Sequence, residues 1–411
     1  MTWRRPDFND DSPARHVLVV ASTFPASTDD PVPAFVKELV IATRLADPGT
    51  RFSVLAPHDH RARTRDFTRH EHYDEYRFRY AWPSRLQTLA GEGGIGPSLK
   101  NNRALLALVP FFLLGEAVAL LRLTRLLRRD VINAHWIIPQ GVVAAITRLF
   151  ARRPLVLTIH GGDVFTFNAA PARSLKRWAM RSADRILVNS SVTQTTAQEL
   201  YPGGSYSVIP MGVDLASFEG RDSAGHPELR VLFVGRLSEE KGVADLIAAL
   251  EILQHSGIEF EARIAGTGPQ ADELADLVHD AGLESSVTFL GWVAHATVAE
   301  HYRWADVFVG PSIASDTGWV EALGVVFIEA SAAGLPVITT NTGGMRDVIV
   351  HERTGYIIPE KTPQAIAEKL VRLAGDRELA SRLGAAGVEH VAASFSWPTI
   401  AARYAQVFRS L

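Results

Sequence analysis

The chain has 411 residues, 47% hydrophobic and 21% charged; that balance excludes a disordered chain, and the length exceeds one ordinary core, so two domains are expected. No cysteine is present, which excludes disulfides, thiolate catalysis and cysteine-ligated zinc, and fits a reducing compartment. The net charge of −3 is uneven: residues 1–210 hold 27 Lys+Arg against 18 Asp+Glu, and residues 211–411 hold 15 against 27. A basic first half suits an anionic partner (a lipid surface, a lipid pyrophosphate, nucleic acid) or is solvated surface; both readings stay open.

Met1–Arg15 is polar with two prolines and lacks an apolar core, so it reads as a mobile lead-in rather than a signal peptide. His16–Ser22 reads as a buried strand, Thr23–Pro33 as a loop with Asp29 and Asp30, then a helix to about Ala46 and a strand from Arg51 to Ala56. This βαβ opening predicts a parallel sheet with ligands at the carboxyl ends of its strands. No GxGxxG follows the first strand, which argues against a dinucleotide cofactor in this half.

The segment to Arg79 is arginine-rich (Arg51, Arg61, Arg63, Arg65, Arg69, Arg77, Arg79) and reads as a solvated loop or as a site near an anionic acceptor; Leu89–Asn102 reads as a Gly-rich loop. Arg103–Arg129 is an apolar helix with Pro110 and Glu116 inside and Arg122, Arg125, Arg128 and Arg129 at its end. Its uncharged stretch is too short and broken to span a bilayer, which leaves an interfacial helix or, the reading preferred here, a core-packing one. Strands ending at His135-Trp136, at His160-Gly161-Gly162-Asp163 and at Asn189-Ser190 then place His135, His160 and Asn189 on one sheet edge. For each histidine a hydrogen-bonded core role is the alternative; the two glycines after His160 allow close backbone approach to a ligand and favour function there.

Residues 215–229 are polar with Gly and Pro and read as a linker. A second βαβ series follows. Gly235-Arg236-Leu-Ser-Glu-Glu-Lys241-Gly242 leaves a strand and enters a helix, and its two cations suit a diphosphate without a metal, as an arginine fork and a lysine point charge. Gly266-Thr-Gly268-Pro269, Gly291-Trp292-Val293 and a strand to Ser312 come next. Glu321 then lies in a loop, and Glu329 in a helix read from Val326 to Ala333 that stops at Gly334. Free amides at that helix start suit an anion, and the carboxylates suit sugar and ribose hydroxyls; two surface glutamates on an ordinary helix is the competing reading.

The series Gly235-Arg236…Lys241-Gly242, Gly266-Thr-Gly268-Pro269, Phe289-Leu-Gly291-Trp292-Val and Glu321…Glu329 resembles the donor domain of retaining glycosyltransferases of GT-B fold, family 4 above all. Ala134-His-Trp-Ile-Ile-Pro-Gln-Gly141, His160-Gly-Gly-Asp163 and Pro210-Met-Gly-Val-Asp214 are similar to segments of that family's acceptor domain, and the likeness runs from about His16 to the end. The resemblance implies an α/β chain with two Rossmann-like parallel-sheet domains facing a central cleft. Its expected divisions are 16–212 on the acceptor side and 213–394 on the donor side, with a final helix at about 395–411 packing back onto the first.

It further implies that Arg236 and Lys241 bind the donor diphosphate and stabilise the departing nucleotide. Glu329 would hold the ribose, Glu321 the donor sugar, and Val325 and Val326 the sugar or phosphate through their backbone. Trp292 would meet the base, Gly266 would leave room for the nucleotide, and His160 would sit near the reacting sugar. His135, Asp163 and Asn189 are acceptor-side candidates. No metal and no cofactor are implied, the nucleotide sugar being a co-substrate. The expected partners are a UDP- or GDP-sugar, a glycan or lipid-linked acceptor and an anionic membrane surface, in the cytoplasm or peripherally on the inner face of the cytoplasmic membrane. The Ser22–Pro33 loop lacks the glycine pair of many relatives, and Ser315–Val320 has no clear counterpart. Two other readings share these motifs: a nucleotide-sugar epimerase, which has the donor cleft but no acceptor, and a non-catalytic nucleotide-sugar-binding module. Nucleic acid is not an expected partner, because the basic residues lack interleaved aromatic platforms.

Overall fold

A computed structural model of the chain describes residues 15–26, 34–61, 64–90, 95–126, 130–166, 169–220, 226–315 and 320–411. The lead-in up to Ala14, the paired Asp29 and Asp30, Arg63, Arg128, Arg129 and the segment 316–319 before Glu321 lie outside the described residues. The chain forms two α/β units, one running to Gly212 and including Trp397–Leu411, the other spanning Val213–Ser396.

The first unit holds β1 (Arg15–Val20), β2 (Thr50–Pro57), β3 (Phe67–Arg69), β4 (Asp74–Phe78), β5 (Val131–His135), β6 (Leu155–Ile159), β7 (Arg185–Val188) and β8 (Tyr206–Val208). They form one sheet in the order β3-β4-β2-β1-β5-β6-β7-β8, parallel except for the β3–β4 pair. Val17–Val20 of β1 and Val131–Ala134 of β5 are buried because helices cover both faces, so these strands read as continuous apolar runs. One face is covered by the helices Val109–Leu126, Val142–Phe150 and Ala170–Arg181, the other by Phe35–Ala46 and the final helix Trp397–Arg409.

The arginine-rich segment departs from the loop reading. It contains β3 and β4, and its charges are neutralised internally: Arg69 pairs with Asp74, Arg79 with Asp66 and Arg61 with Asp59. Arg77 is 2% exposed, pairs with Glu75 at 2.6 Å, and donates to the carbonyls of Phe24, Pro25 and Pro57 at 2.8–3.2 Å. A guanidinium so enclosed holds the first-strand loop against β4 rather than meeting an acceptor. Ile95–Asn101, within the stretch read as a loop, is a helix.

The apolar helix also departs from its reading. A 3-10 turn, Arg103–Leu108, runs directly into Val109–Leu126, giving 24 helical residues that are long and apolar enough to cross a membrane by length and composition. Its inner face, with Phe112, Ala119, Leu120 and Leu123 buried, packs on the unit; only 22% of its apolar window is buried. It is therefore a surface helix with one packed face, not a core helix.

The second unit holds β9 (Leu229–Val234), β10 (Phe260–Ala265), β11 (Val287–Gly291), β12 (Val307–Gly310), β13 (Val337–Thr340) and β14 (Gly355–Ile358). These are all parallel, in the order β11-β10-β9-β12-β13-β14. In each sheet the strand order reverses once near the middle, between β1 and β5 and between β9 and β12. At such a switch point the loops splay apart and leave a crevice at the carboxyl ends.

Candidate functional site

In the second unit the loops following β9 and β12 meet across the switch point. The amide of Ile313, after β12, donates to the carbonyl of Glu240, after β9, at 2.9 Å. Gly242 turns the β9 loop into the helix Val243–His255 with φ +65°, and a Cβ there would lie 2.0 Å from the Pro311 carbonyl oxygen. Only glycine fits both the conformation and the space. Just before it, Lys241 forms an ion pair through Nζ with Oε2 of Glu321, both side chains less than a fifth exposed. Sequence reading assigned these two residues to different ends of a ligand; the fold joins them directly.

Glu321 is held by its backbone as well. Its carbonyl accepts from Gly344 N at 2.8 Å, and Gly343, at φ +58°, passes so close that a Cβ would meet that carbonyl at 1.9 Å. Three residues on, Gly324 at φ +69° caps the helix Val325–Ala332, whose first amides, including those of Val325 and Val326, have no carbonyl one turn earlier to bond. Glu329 lies in this helix, 6% exposed, and its Oε2 accepts from the Tyr302 hydroxyl at 2.9 Å. Tyr302 is fully enclosed, and burial first, then the Glu329 charge, pushes its hydroxyl well above the usual range, so it stays a donor. Tyr302 was not found by sequence reasoning; it sits in the last turn of the helix His295–Trp304 with no motif around it.

The remaining candidates lie on the same edge. Arg236 is exposed on the β9 loop. Gly266 ends β10 at φ +142° with its α-carbon against the Gly235 carbonyl, which a Cβ would meet at 1.8 Å. Trp292, 68% exposed, follows β11. Hydrogen bonds from Gly235 N to Ala265 O, Leu237 N to Thr267 O and Gly266 N to Gly291 O, all 2.8–2.9 Å, tie these three loops into one floor.

In the first unit the switch point is occupied by histidines. Asn133 donates through Nδ2 to Thr158 Oγ1 at 2.9 Å, which turns its Oδ1 toward His135 Nε2 at 3.0 Å. That nitrogen is then the donor, so His135 Nδ1 is an acceptor and takes the Nε2 proton of His160 at 2.9 Å. His160 Nδ1 is left as a bare lone pair with no protein partner. Burial holds His160 down to about 3 and, with the neighbouring His160, keeps His135 well below the usual range, so both rings are neutral.

Trp136 takes φ +71°, a left-handed conformation rare outside glycine, and lays its ring 4.7 Å from that of His160; the Phe35 ring lies 4.9 Å from the same imidazole. Strain of this kind in a large residue points to a constrained site. Asn189 donates to the His160 carbonyl at 3.0 Å, and Asp163 Oδ2 accepts from Ile137 N at 2.7 Å. The side-chain oxygen of Asn189 and the second carboxylate oxygen of Asp163 are buried without a partner, as is His160 Nδ1. Three unpaired acceptors at the ends of β6 and β7 suit a ligand rich in hydroxyls. Burial raises the Asp163 carboxyl to about 6 despite the Ile137 amide. His135 is corrected: it is wholly enclosed with both nitrogens engaged, so it cannot touch an acceptor and instead fixes the tautomer of His160.

Comparison with known proteins finds relatives over both units. Residues 39–217 match the family model described as Glycosyltransferase Family 4, and residues 220–390 that of Glycosyl transferases group 1. The chain is 34% identical over 303 residues to a GDP-mannose-dependent alpha-(1-6)-phosphatidylinositol monomannoside mannosyltransferase of Mycobacterium tuberculosis, spanning 70% of this chain and 78% of the relative. It is 30% identical over 294 residues to a glycogen synthase of the same organism, spanning 68% and 69%. Among solved structures, sucrose-phosphate synthase from Thermosynechococcus elongatus superposes with a TM-score of 0.77 at 23% identity, covering 96% of this chain and 98% of that one. Anabaena HepE in complex with UDP gives 0.72 at 22% identity, covering 97% and 100%.

Proposed function

Since the chain belongs to the family 4 glycosyltransferases of GT-B fold, we propose that it moves a hexosyl group from a UDP- or GDP-sugar to a lipid-linked or glycan acceptor at the inner face of the cytoplasmic membrane, retaining the anomeric configuration. The observation that carries this reading is the Lys241–Glu321 pair, set across the β9/β12 switch point beside the amides that open the Val325–Ala332 helix. A diphosphate takes the place of part of that ion pair: Lys241 and Arg236 meet its oxygens, and the helix-start amides add fixed positive dipoles. As the bond to the sugar stretches, negative charge grows on the departing nucleotide, and these groups are already placed to receive it. No bound metal is required by this assignment.

Glu321, released from sole pairing with Lys241, turns an oxygen to the donor sugar's hydroxyls. Glu329, braced by Tyr302, takes the ribose hydroxyls with its other oxygen. Gly266 leaves room for the nucleoside, and Trp292 borders the base. In the first unit His160 Nδ1 accepts a hydrogen bond from a hydroxyl, with Asp163 and Asn189 on the acceptor side. The leaving phosphate itself takes the acceptor's proton, so no side-chain base is needed.

GDP-mannose is the first donor to test, because the 34% identical relative is named for it. The epimerase and binding-module readings are less well supported, since the relatives are named as a transferase and a synthase. The experiment is a thermal-stabilisation panel of UDP-, GDP- and ADP-sugars, followed by product analysis with the stabilising donor and a lipid or glycan acceptor. Release of nucleoside diphosphate with an α-configured glycoside, undiminished by chelator, is expected. An isomerised nucleotide sugar with no glycoside would overturn transfer, and an inverted product would overturn retention.

A further inference from the structure

One face of the first unit's sheet is covered by three helices side by side, and the outward surface of that layer has an unusual composition. Along the apolar helix, Phe111, Leu114 and Val118 are 59, 63 and 40% exposed at helical spacing on a single face, and Arg122 and Arg125 continue the same line. Leu106 extends the line toward the helix start at 55%. On the neighbouring helix Val142–Phe150, Ile146, Leu149 and Phe150 are exposed by 39, 70 and 63%. Contiguous exposed apolar side chains of this size mark a surface that meets something else.

The surrounding charge says what. Residues 95–154 contain nine Lys+Arg against two Asp+Glu, and one of the two acids, Glu116, is wholly buried, its carboxyl raised to about 8 by that burial. Where the Val142–Phe150 and Ala170–Arg181 helices end, a cavity of about 560 Å³ is lined by Arg148, Arg152, Arg153 and Arg181, with Asp184 bound to Arg148 in a bidentate pair. One carboxylate against four guanidiniums leaves the cavity strongly positive. This cavity lies at the amino ends of β6 and β7, the opposite edge of the sheet from His160.

We propose that this face docks the protein on an anionic bilayer: Phe111, Leu114, Leu149 and Phe150 enter the acyl boundary, and Arg122, Arg125 and the Arg148–Arg181 cavity take lipid phosphates. A bilayer is favoured over a protein partner because the face pairs bare apolar side chains with an excess of one charge sign. A folded partner would need an equally acidic and apolar surface, whereas an anionic membrane supplies both chemistries at once. The helix lies in the interface rather than across it, since its other face is committed to the unit's core. This inference deepens the membrane part of the proposed function and rests on it, but not on the identity of donor or sugar.

The test is co-sedimentation of the full chain with vesicles of phosphatidylcholine alone or mixed equally with phosphatidylglycerol, alongside size-exclusion chromatography and donor-induced thermal stabilisation. Wild type is expected to bind only the anionic vesicles, and to release as salt is raised. Arg152→Ser with Arg181→Ser should weaken partitioning by roughly 25-fold, each arginine near a charged surface being worth about fivefold. Phe111→Ser with Leu114→Ser should abolish it, with donor stabilisation unchanged in both variants. Equal binding to neutral and anionic vesicles, no binding to either, or wild-type binding by both variants would overturn the proposal. So would a dimer of wild type that Phe111→Ser with Leu114→Ser dissociates, which would assign the face to self-association. Loss of donor stabilisation in wild type instead counts against the transferase site and leaves the vesicle result to decide docking.

Discussion

The hydroxyl of Tyr302 donates to Oε2 of Glu329 at 2.9 Å, and both residues are buried. That bond orients the Glu329 carboxylate, and in the proposed site the carboxylate takes the ribose. Tyr302→Phe removes this donor from the buried carboxylate. Stability should fall by about 1.5–3 kcal/mol, as the loss of a hydrogen bond to a charged group does. Nucleotide-sugar KM should rise several-fold with kcat changed much less, because a ribose contact is made equally in the ground and transition states. Thermal melts with and without donor, and steady-state kinetics, check both.

Lys241 and Glu321 are expected to be lost together rather than separately. Lys241→Ala and Glu321→Ala should each lower turnover by well over tenfold, as the loss of a transition-state contact does. Because the two side chains touch, the double variant should be less impaired than the product of the singles. A cycle of four kcat/KM values decides it; strict additivity would mean that they act independently on the substrate.

Gly242 and Gly266 test the floor of the second unit. A methyl group at Gly242 meets the Pro311 carbonyl at 2.0 Å and one at Gly266 meets the Gly235 carbonyl at 1.8 Å, and both positions have positive φ. Alanine at either should destabilise by about 2–4 kcal/mol, through strain and backbone displacement together. Denaturation followed by a probe in the second unit measures it, with Gly257→Ala, also at positive φ but in open space, as the milder comparison.

The histidine pair makes a pH prediction. His160 is held neutral, down to about 3, so below its unfolded value near 6.5 the unfolded chain binds a proton that the folded chain does not. Stability therefore falls as pH drops from 6.5 toward 3, by about 1.4 kcal/mol per pH unit for one such group. Asp163 acts in the opposite sense. Its folded carboxyl is raised to about 6, so between its unfolded value of 3.8 and 6 the folded chain holds the extra proton, and stability falls as pH rises through that window. His160→Gln should therefore gain on wild type in Tm as pH falls from 6.5 to 5, and Asp163→Asn should gain as pH rises from 4 to 6. Melting curves across this range test the two signs independently.

His135→Phe separates support from contact. With the relay from Asn133 broken, His160 loses the partner that fixes its tautomer, so turnover should drop several-fold and the pH profile of kcat should shift. A variant acting only through packing would leave that profile in place.

Two α/β series, the strand-end positions of Arg236, Lys241, His160 and Asn189, and the helix carrying Glu329 were all readable from the chain. They depend on local patterns: apolar runs of strand length, glycines at turns, a short apolar helix closed at Gly334. The same local logic failed where partners lie far away in sequence. Arg77 looked like one more surface cation, yet it pairs with Glu75 and three loop carbonyls beneath β4. The apolar helix looked like core because composition does not say which face a neighbour covers, and its uncovered stripe appears only once the sheet is assembled. Lys241 and Glu321 stand 80 positions apart, Tyr302 and Glu329 27, and His135 and His160 25. Chemistry at each position was written in its residue type; which groups share a proton or a charge was decided by the reversal of strand order, which brings separate loops to one crevice.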